Sequence, residues 1–336
     1  MDGVGYVTES NKEVTVISMK VMITGASGFL GSWICRVLAV EFEVIALVRE
    51  TSNLVKLADL RNIEIIQLKN NKWREYLVAS CPDVLILNHW TGVSNEDRNS
   101  PRQFENVQAI QTLTDAAISA GIQTIIGVGS QAELGPVSST ISENEVDNPT
   151  TLYGQAKVDT RLILHNSTRD TQARFIWMRI FSTYGPLDDG TWLIPNIVDS
   201  LIKNEVIGLT KGEQMWSYLH AYDLASAFQT VIREKHINGI VNVGNPQTIS
   251  IRGAASIIGK VLEKEELLEF GALDYRPDQV MRLQPLCETL TKSGWSPQIS
   301  FEQGIRQTID WLQRKDLRPI FTESGKTLDF KIPARP

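Results

Sequence analysis

Short apolar runs alternate with longer segments of helical periodicity through the first half of the chain. The apolar runs, rich in β-branched residues, predict strands at Val21–Thr24, Val44–Val48, Ile63–Leu68, Val84–Asn88 and Thr124–Gly129. The segments between them predict helices at Phe29–Val40, Asn53–Leu60 and Pro101–Ala120. Strands this apolar are expected to be covered on both faces, as in a parallel sheet between two layers of helices. The pattern therefore predicts an α/β fold with a doubly wound parallel sheet of the Rossmann type.

The pattern changes after Ser130, where a loop rich in Gly, Pro, Ser and Asn interrupts the alternation. Beyond that loop the sequence predicts helices at Leu152–His165, Ile194–Lys203, Leu224–Glu234, Ile251–Leu262 and Phe301–Lys315. It also predicts strands at Phe175–Phe181, Tyr218–His220 and Ile240–Val243. We expect this mixture to form a smaller, mixed α/β lobe that binds substrate over the carboxyl edge of the sheet.

These patterns divide the chain into four segments. Residues 1–18 are expected to be an N-terminal extension, and residues 19–186 to form the dinucleotide-binding domain. Residues 187–316 should contribute mainly to the substrate-binding lobe, although the strand near 240–243 is expected to return to the first sheet. Residues 317–336 are expected to be a loosely attached tail.

Composition narrows the class of protein. The net charge of −6 over 336 residues argues against a nucleic-acid-binding protein, which usually carries a basic surface. No apolar run reaches the roughly 18–20 residues that a membrane helix needs, and the first residues do not resemble a signal peptide. We therefore expect a cytoplasmic protein that binds no membrane. The three cysteines are far apart and the four histidines show no ligand spacing, so no metal site is expected.

A glycine-rich turn follows the first predicted strand. Gly25, Gly28 and Gly31 lead directly from that strand into a helix. Glycine suits a sharp turn and a close approach of backbone to a pyrophosphate, and the free N–H groups at the helix start attract the anion. The turn therefore predicts a dinucleotide site, with Ser27, Phe29 and Leu30 expected to contact the same ligand.

The end of the second strand indicates which dinucleotide binds. An acidic residue there would bond the ribose hydroxyls of NAD, whereas an arginine accommodates the 2′-phosphate of NADP. Arg49 stands at this position, eighteen residues after Gly31, and Lys56 could add a second positive charge. The sequence favours NADP, while the neighbouring Glu50 leaves NAD open.

Tyr153 and Lys157 form a YxxxK motif at the start of a predicted helix. Their spacing places the phenol and the ammonium on one helical face, where the cation would acidify the phenol for proton transfer. Ser130 follows the fifth predicted strand and could hydrogen-bond the same substrate oxygen. We therefore predict Ser130, Tyr153 and Lys157 as the catalytic residues.

The glycine turn, Ser130 and the YxxxK motif, in this order, resemble the extended short-chain dehydrogenases/reductases over about Met19–Leu312. The resemblance implies that Asn106, Ile180 and Ser182 lie on the cofactor side, with Lys157 also holding the cofactor. It further implies a homodimer formed through the helices at Pro101–Ala120 and Leu152–His165. The segment Asn88–Trp90 departs from the small, alanine-containing sequence that is usual in this family.

The same resemblance implies a nucleotide-activated sugar as substrate. The residues expected to contact this substrate are Gln131, Trp192, Pro195, Asn196, Trp216, Arg276 and Arg282. Either arginine of this set could hold the diphosphate. Many relatives carry an arginine where Trp216 stands, so the phosphate clamp is expected to differ here, or the substrate is not a nucleotide sugar.

Residue types that are absent after Ser130 restrict the reactions that the chain is expected to catalyse. Dehydratases of this family carry an Asp–Glu pair directly after the catalytic Ser or Thr, but Gln131 and Ala132 occupy those positions. A 4-epimerase normally retains NAD, which Arg49 disfavours. The segments after Ser130 resemble most the reductases of 4-keto-6-deoxy sugars carried on CDP or TDP, the CDP-abequose synthases among them. We therefore expect NADPH-dependent reduction of such a 4-keto group. A nucleotide-sugar 4-epimerase, a reductase of another carbonyl and a non-catalytic NADP-binding regulator stay as alternatives.

Overall fold

The computed structural model describes residues 19–68, 73–137, 139–188, 190, 192–276 and 279–313. The predicted extension (1–18) and tail (317–336) lie outside these residues. In the first half the elements are β1 (Lys20–Thr24), α1 (Phe29–Leu38), β2 (Glu43–Arg49), β3 (Ile63–Leu68), α2 (Trp73–Ser80), β4 (Val84–Leu87), α3 (Gln103–Ser119), β5 (Thr124–Ser130), β6 (Thr140–Ile141) and α4 (Leu152–Arg169).

In the second half the elements are β7 (Arg174–Ile180), β8 (Thr183–Tyr184), α5 (Leu193–Ile202), β9 (Ile207–Leu209), β10 (Met215–Trp216), β11 (Leu219–His220), α6 (Ala221–Arg233), β12 (Gly239–Val243), β13 (Ile249–Ser250), α7 (Ile251–Leu262), β14 (Leu268–Phe270), β15 (Arg282–Pro285), α8 (Glu288–Lys292) and α9 (Phe301–Gln313). The last two residues of the predicted terminal helix lie outside the described residues. None of the helices in the described part of the chain is long and apolar enough to cross a membrane.

The central sheet has seven strands in the order β3-β2-β1-β4-β5-β7-β12. Every neighbouring pair is parallel, and Ile23 of β1, for example, lies between Ala46 of β2 and Ile86 of β4. Strands β1 and β4 are almost wholly buried because helices cover both faces of the sheet. The prediction of a doubly wound parallel α/β sheet is therefore confirmed.

Two local predictions were wrong. The helix expected at Asn53–Leu60 is only a single 3₁₀ turn at Val55–Leu57. The Asn53 side chain accepts a hydrogen bond from the Val55 N–H, an Asx turn that competes with a regular helix. Helix α2 was not predicted because it buries only Leu77 among its described residues and so carries little apolar periodicity.

Strand β3 also departs from the expectation of strands covered on both faces. It is the edge strand, and none of its six residues is buried. A strand paired on one side only has fewer neighbours to cover it, which an apolar sequence does not reveal.

A second, smaller sheet has four short strands in the order β13-β10-β15-β6. It combines β6 from the first half of the chain with strands of the second half, so this sheet contains residues from both sides of the predicted boundary at residue 186. The buried Asn242 of β12 ties the two sheets together, since its amide donates to Ile141 O and Leu286 O. Strand β12 itself pairs with β7 of the central sheet.

Candidate active site

A cleft of about 1800 Å³ opens at the carboxyl ends of the central strands. This edge is where doubly wound sheets bind ligands. The predicted residues that line the cleft are Gly25, Ser27, Gly28, Phe29, Leu30, Arg49, Lys56, Ser130, Gln131, Tyr153, Lys157, Ile180, Ser182, Trp192, Pro195, Asn196, Trp216 and Arg276. The structure thus brings most of the predicted catalytic, cofactor and substrate residues into one cleft.

Three predicted residues do not line the cleft. Gly31 is buried in α1, where a Cβ would overlap the carbonyl oxygen of the turn, so it serves helix packing. The amide of Asn106 bonds the backbone N–H and carbonyl of Thr91 at 2.9 and 3.0 Å, and it therefore holds the loop after β4. Arg282 is exposed and donates to Gln284 Oε1, because residues two apart in a strand share a face, and it is Leu283, between them, that lines the cleft. Of the two arginines predicted for the diphosphate, the structure therefore places Arg276 in the cleft lining and Arg282 outside it.

The glycine turn has the geometry of an anion cradle. Gly25 has φ +64°, and a Cβ there would lie 2.8 Å from the His89 Cα, so only glycine fits. The Gly28 N–H donates to Gly25 O at 3.1 Å, which closes the turn just before α1 begins at Phe29. No side chain caps this helix start, and its N–H groups stay available for a pyrophosphate.

The end of β2 is positively charged on the cleft side. Arg49 and Lys56 both line the cleft there, whereas Glu50 is exposed and does not. The carboxylates that line the cleft among the described residues are Asp188 and Asp274, and neither belongs to this segment. This end of the cleft, where the sequence predicts the ribose of the dinucleotide (the ribose end), is therefore lined by two cations and, among the described residues, by no carboxylate.

Ser130, Tyr153 and Lys157 converge where β5 ends and α4 begins. The Ser130 hydroxyl lies within hydrogen-bonding reach of the Tyr153 phenol. The Lys157 ammonium lies 5.7 Å from the centre of the Tyr153 ring and donates to Val128 O at 2.8 Å. The three side chains share a single wall of the cleft, as proton transfer to a bound carbonyl requires.

Burial sets the protonation of this group. It raises the pKa of the Tyr153 phenol, while Ser130 and the guanidinium of Arg98 lower that pKa in part. Burial lowers the pKa of Lys157 to about 7, against the opposing effect of the Glu133 carboxylate. Among the charged groups near the phenol, the Arg98 guanidinium lowers its pKa, and the acidification by Lys157 that the sequence suggests stays a prediction.

A buried carboxylate, that of Glu133, lies under Ser130. Glu133 Oε1 accepts the Ser130 N–H at 2.6 Å, and the Glu133 carboxylate also accepts from Trp177 Nε1 at 3.0 Å. Its Oε2 accepts from Arg179 Nε at 3.2 Å, and both partners of this ion pair are fully buried. The network fixes the backbone that carries Ser130, so its hydroxyl has a defined position.

Arg98 of this site was not predicted from the sequence, and Trp90 stood out there only as a departure from the family pattern. The Trp90 ring centre lies 3.6 Å from the Lys157 ammonium, and its Nε1 donates to Gln103 at 2.8 Å. The signal in the sequence was the large side chain of Trp90 in the segment after β4, where the family usually has small residues. Arg98 lies over the Tyr153 ring and belongs to no motif, so nothing in the sequence pointed to it.

The loop that carries Arg98 also holds the start of α4. The Arg98 carbonyl accepts the Tyr153 N–H at 2.8 Å, and Asn99 Oδ1 accepts the Leu152 N–H at 3.2 Å. The first N–H groups of a helix lack partners within that helix, so this loop accepts their hydrogen bonds and fixes the position of α4. Tyr153 is thereby positioned from outside its own helix.

The predicted substrate residues line the remaining wall. The Trp216 indole donates to Ser182 Oγ at 2.7 Å, which fixes the ring beside the cleft and engages the serine hydroxyl. Trp192 stands at the start of α5 and is 37% exposed, so its ring is accessible to a ligand. Within the described ranges, no group of three or more His, Cys, Asp or Glu side chains is arranged to hold a metal ion.

The known proteins that this chain resembles include three whose names refer to nucleotide sugars. A dTDP-D-glucose 4,6-dehydratase of Mus musculus is 25% identical over 319 residues, which cover 88% of this chain and 89% of the relative. A CDP-abequose synthase of Salmonella muenchen is 28% identical over 137 residues, 40% of this chain and 47% of that protein. The solved structure of a UDP-N-acetylglucosamine 4-epimerase from Methanobrevibacter ruminantium M1 superposes with a TM-score of 0.80 at 22% identity, covering 88% of this chain and 98% of that one.

The family assignment rests on the match of a family model to more than half of the chain. The NAD dependent epimerase/dehydratase family matches residues 21–244, two thirds of the chain. This range contains the glycine turn, the three predicted catalytic residues and, apart from Lys20 at the start of β1, all seven strands of the central sheet. The resemblance stated from the motifs is confirmed: the chain belongs to the NAD dependent epimerase/dehydratase family.

Proposed function

We propose that the protein reduces the 4-keto group of a nucleotide-linked 4-keto-6-deoxy sugar, with NADPH as the hydride donor. The convergence of Ser130, Tyr153 and Lys157 beside the glycine turn carries the proposal. The relatives named above act, by their names, on nucleotide sugars, which supports this substrate class. The cations of the ribose end support NADP over NAD.

The side chains divide the chemistry between them. The nicotinamide, when bound, supplies a hydride to the keto carbon. Tyr153 is neutral because burial raises its pKa, so it holds the proton that the carbonyl oxygen accepts as the alcohol forms. The phenolate left behind is stabilised by the Ser130 hydroxyl and by the Arg98 guanidinium. Lys157, whose ammonium donates to Val128 O, would hold the ribose next to the nicotinamide.

Reduction fits the side chains after Ser130 better than dehydration does. Loss of water needs a further acid and base beside the catalytic group, and neither Gln131 nor Ala132 can transfer a proton. The nearest carboxylate in sequence, Glu133, is fully buried and occupied by Trp177 and Arg179. It therefore acts on the backbone of Ser130 and not on a ligand.

A nucleotide-sugar 4-epimerase is the second candidate. The superposition on a solved 4-epimerase favours it, and the same Ser–Tyr pair serves the reversible oxidation that an epimerase performs. Arg49 at the ribose end speaks against it, because epimerases of this family normally retain NAD. The two candidates differ in whether reduced cofactor is consumed.

A substrate panel tests the proposal. The full chain is assayed with CDP-, dTDP- and UDP-linked 4-keto-6-deoxy sugars, with NADPH or NADH, by the loss of reduced-nicotinamide absorbance. We expect consumption of one NADPH per sugar, and slower reaction with NADH. Interconversion of 4-hydroxy sugars without net cofactor use would establish the epimerase instead. Oxidation of NADPH only with carbonyl compounds that lack a nucleotide would reject both.

A further inference from the structure

Arg98 is a cation in the cleft wall, and the proposed mechanism uses it only to stabilise the Tyr153 phenolate. Its guanidinium carbon lies 5.3 Å from the centre of that ring and 5.8 Å from the centre of the Trp192 ring. Both distances are in the range of cation–π contacts. Arg98 therefore bridges the start of α4 and the start of α5 beside the reacting group.

The charge of Arg98 is not neutralised within the described chain. No carboxylate of the described residues lies within ion-pair distance of it, and its Nε is buried without a hydrogen-bond partner. A guanidinium that lies over aromatic rings uses its faces and keeps its in-plane N–H donors. Such a fork matches the two oxygens of a phosphate or carboxylate. The geometry thus calls for an anion from the ligand.

The other cations of the cleft narrow the role of Arg98. The lysines and arginines of the described chain that line the cleft are Arg49, Lys56, Arg98, Lys157 and Arg276. The first two lie at the ribose end, and the Lys157 ammonium is held by a backbone carbonyl. Trp216, whose indole is bonded to Ser182, offers no charge on its wall. Arg98 and Arg276 are left for the anionic part of the substrate.

We propose that Arg98 binds the sugar-proximal phosphate of the substrate diphosphate. The phenol of Tyr153 must meet the keto oxygen, and Arg98 lies against the ring of that phenol. In a nucleotide sugar the anion nearest to the reacting ring is the phosphate on the anomeric oxygen. The inference rests on the proposed substrate class. It assigns a substrate contact to the loop between β4 and α3, whereas the other candidate, Arg276, lies in the second half of the chain.

Calorimetry on the NADP-loaded full chain tests the contact without turnover. Nucleoside diphosphates (CDP, dTDP and UDP) carry the sugar-proximal phosphate, whereas the monophosphates lack it. R98Q should weaken diphosphate binding by about tenfold or more, since a charge-assisted bidentate pair is lost, and leave monophosphate binding within about twofold. R98K, which keeps the charge without the fork, should lose less. R102Q is the matched control, because Arg102 is an exposed arginine of the same segment.

Other outcomes overturn the inference. An equal loss for mono- and diphosphates, or no loss, would exclude the sugar-proximal phosphate. A loss confined to UDP-glucuronic acid against UDP-glucose would assign Arg98 to a sugar carboxylate. A shift in the pH dependence of turnover with unchanged diphosphate binding would assign it to Tyr153 alone. The proposed reductase activity fails separately, on the substrate panel, even where diphosphate binding depends on Arg98.

Discussion

Tyr153 and Lys157 lie in surroundings that disfavour their charged forms. Burial raises the pKa of the phenol and lowers that of the ammonium to about 7. A neutral phenol suits a group that donates a proton in the forward reduction. At this scale the sequence predicted Ser130, Tyr153 and Lys157, which the structure brings together. Arg98 was not predicted, and Trp90 was noted only as a departure from the family pattern, because both contact these residues through the fold.

Removal of the Tyr153 hydroxyl should abolish most turnover. We expect Tyr153→Phe to lower kcat by about 100- to 10,000-fold, the range for a lost general acid, with NADPH affinity retained. Cofactor binding is measured by fluorescence titration and turnover by NADPH consumption. Tyr76→Phe, on α2, is the control and should keep wild-type turnover. A Tyr153→Phe variant with full biological activity and no catalytic change would instead indicate a regulator.

Reversal of charge at Arg49 should change the cofactor preference. We expect Arg49→Glu to weaken NADPH binding by about tenfold or more, because a charge-assisted phosphate contact becomes a repulsion, and to weaken NADH binding much less. The measurement is the ratio of dissociation constants for the two cofactors. Arg61→Glu makes the same charge change at an exposed arginine and should leave the ratio unchanged. An unaltered ratio in Arg49→Glu would remove the argument for NADP.

The turn between β1 and α1 is the element whose geometry is most demanding. Gly25→Ala places a Cβ 2.8 Å from the His89 Cα at φ +64°, so we expect weaker cofactor binding and a lower free energy of unfolding. Gly121→Ala has φ +79° but no atom within 4 Å of the new Cβ. It should cost only the backbone strain, about 1 kcal/mol. Urea unfolding and NADPH titration compare the two, and equal losses would exclude the close approach as the cause.

Elements were predictable where their signals are local. The strands of the central sheet and the helix that carries Tyr153 follow from apolar runs and periodicity. Helix α2 and the turn at Val55–Leu57 depend on tertiary packing and on a side-chain bond, which such patterns do not encode. The ion pair of Glu133 with Arg179 joins residues 46 positions apart, so it had no signature in either segment.

The whole molecule should lose stability as the pH falls. His220 is buried, its Nδ1 accepts the Tyr222 N–H at the start of α6, and burial lowers its pKa from 6.5 to about 4. The unfolded chain therefore binds more protons between these values, and stability falls with decreasing pH. Between pH 7 and pH 5 this histidine alone should remove about 2 kcal/mol.

His220→Asn separates this effect from others. Asparagine still caps the helix but does not titrate, so the loss between pH 7 and pH 5 should shrink by about 2 kcal/mol. Urea unfolding at the two pH values measures the difference. His236→Asn, at an exposed histidine, should retain the wild-type loss. If His220→Asn retains it as well, the buried imidazole is not the source.

Assembly stays a prediction at this scale. The resemblance implies a homodimer through α3 and α4, and Leu162 of α4 presents an apolar side chain that is 45% exposed. Light scattering on the purified chain would show a mass of twice 37.6 kDa if the dimer forms. The fold class followed from the sequence alone, because it needs only the alternation of strand and helix.

The strands of the small sheet come from distant parts of the chain, and this limits how substrate preference can be re-engineered. β6 belongs to the loop before the catalytic helix, whereas β10, β13 and β15 come from the second half. A chimera that replaces one continuous stretch, such as 187–276, would place foreign β10 and β13 beside the host's β15. Exchange of the whole small sheet between relatives therefore requires at least two coordinated grafts, one around β6 and one from β10 to β15, with Asn242 and its two carbonyl partners retained.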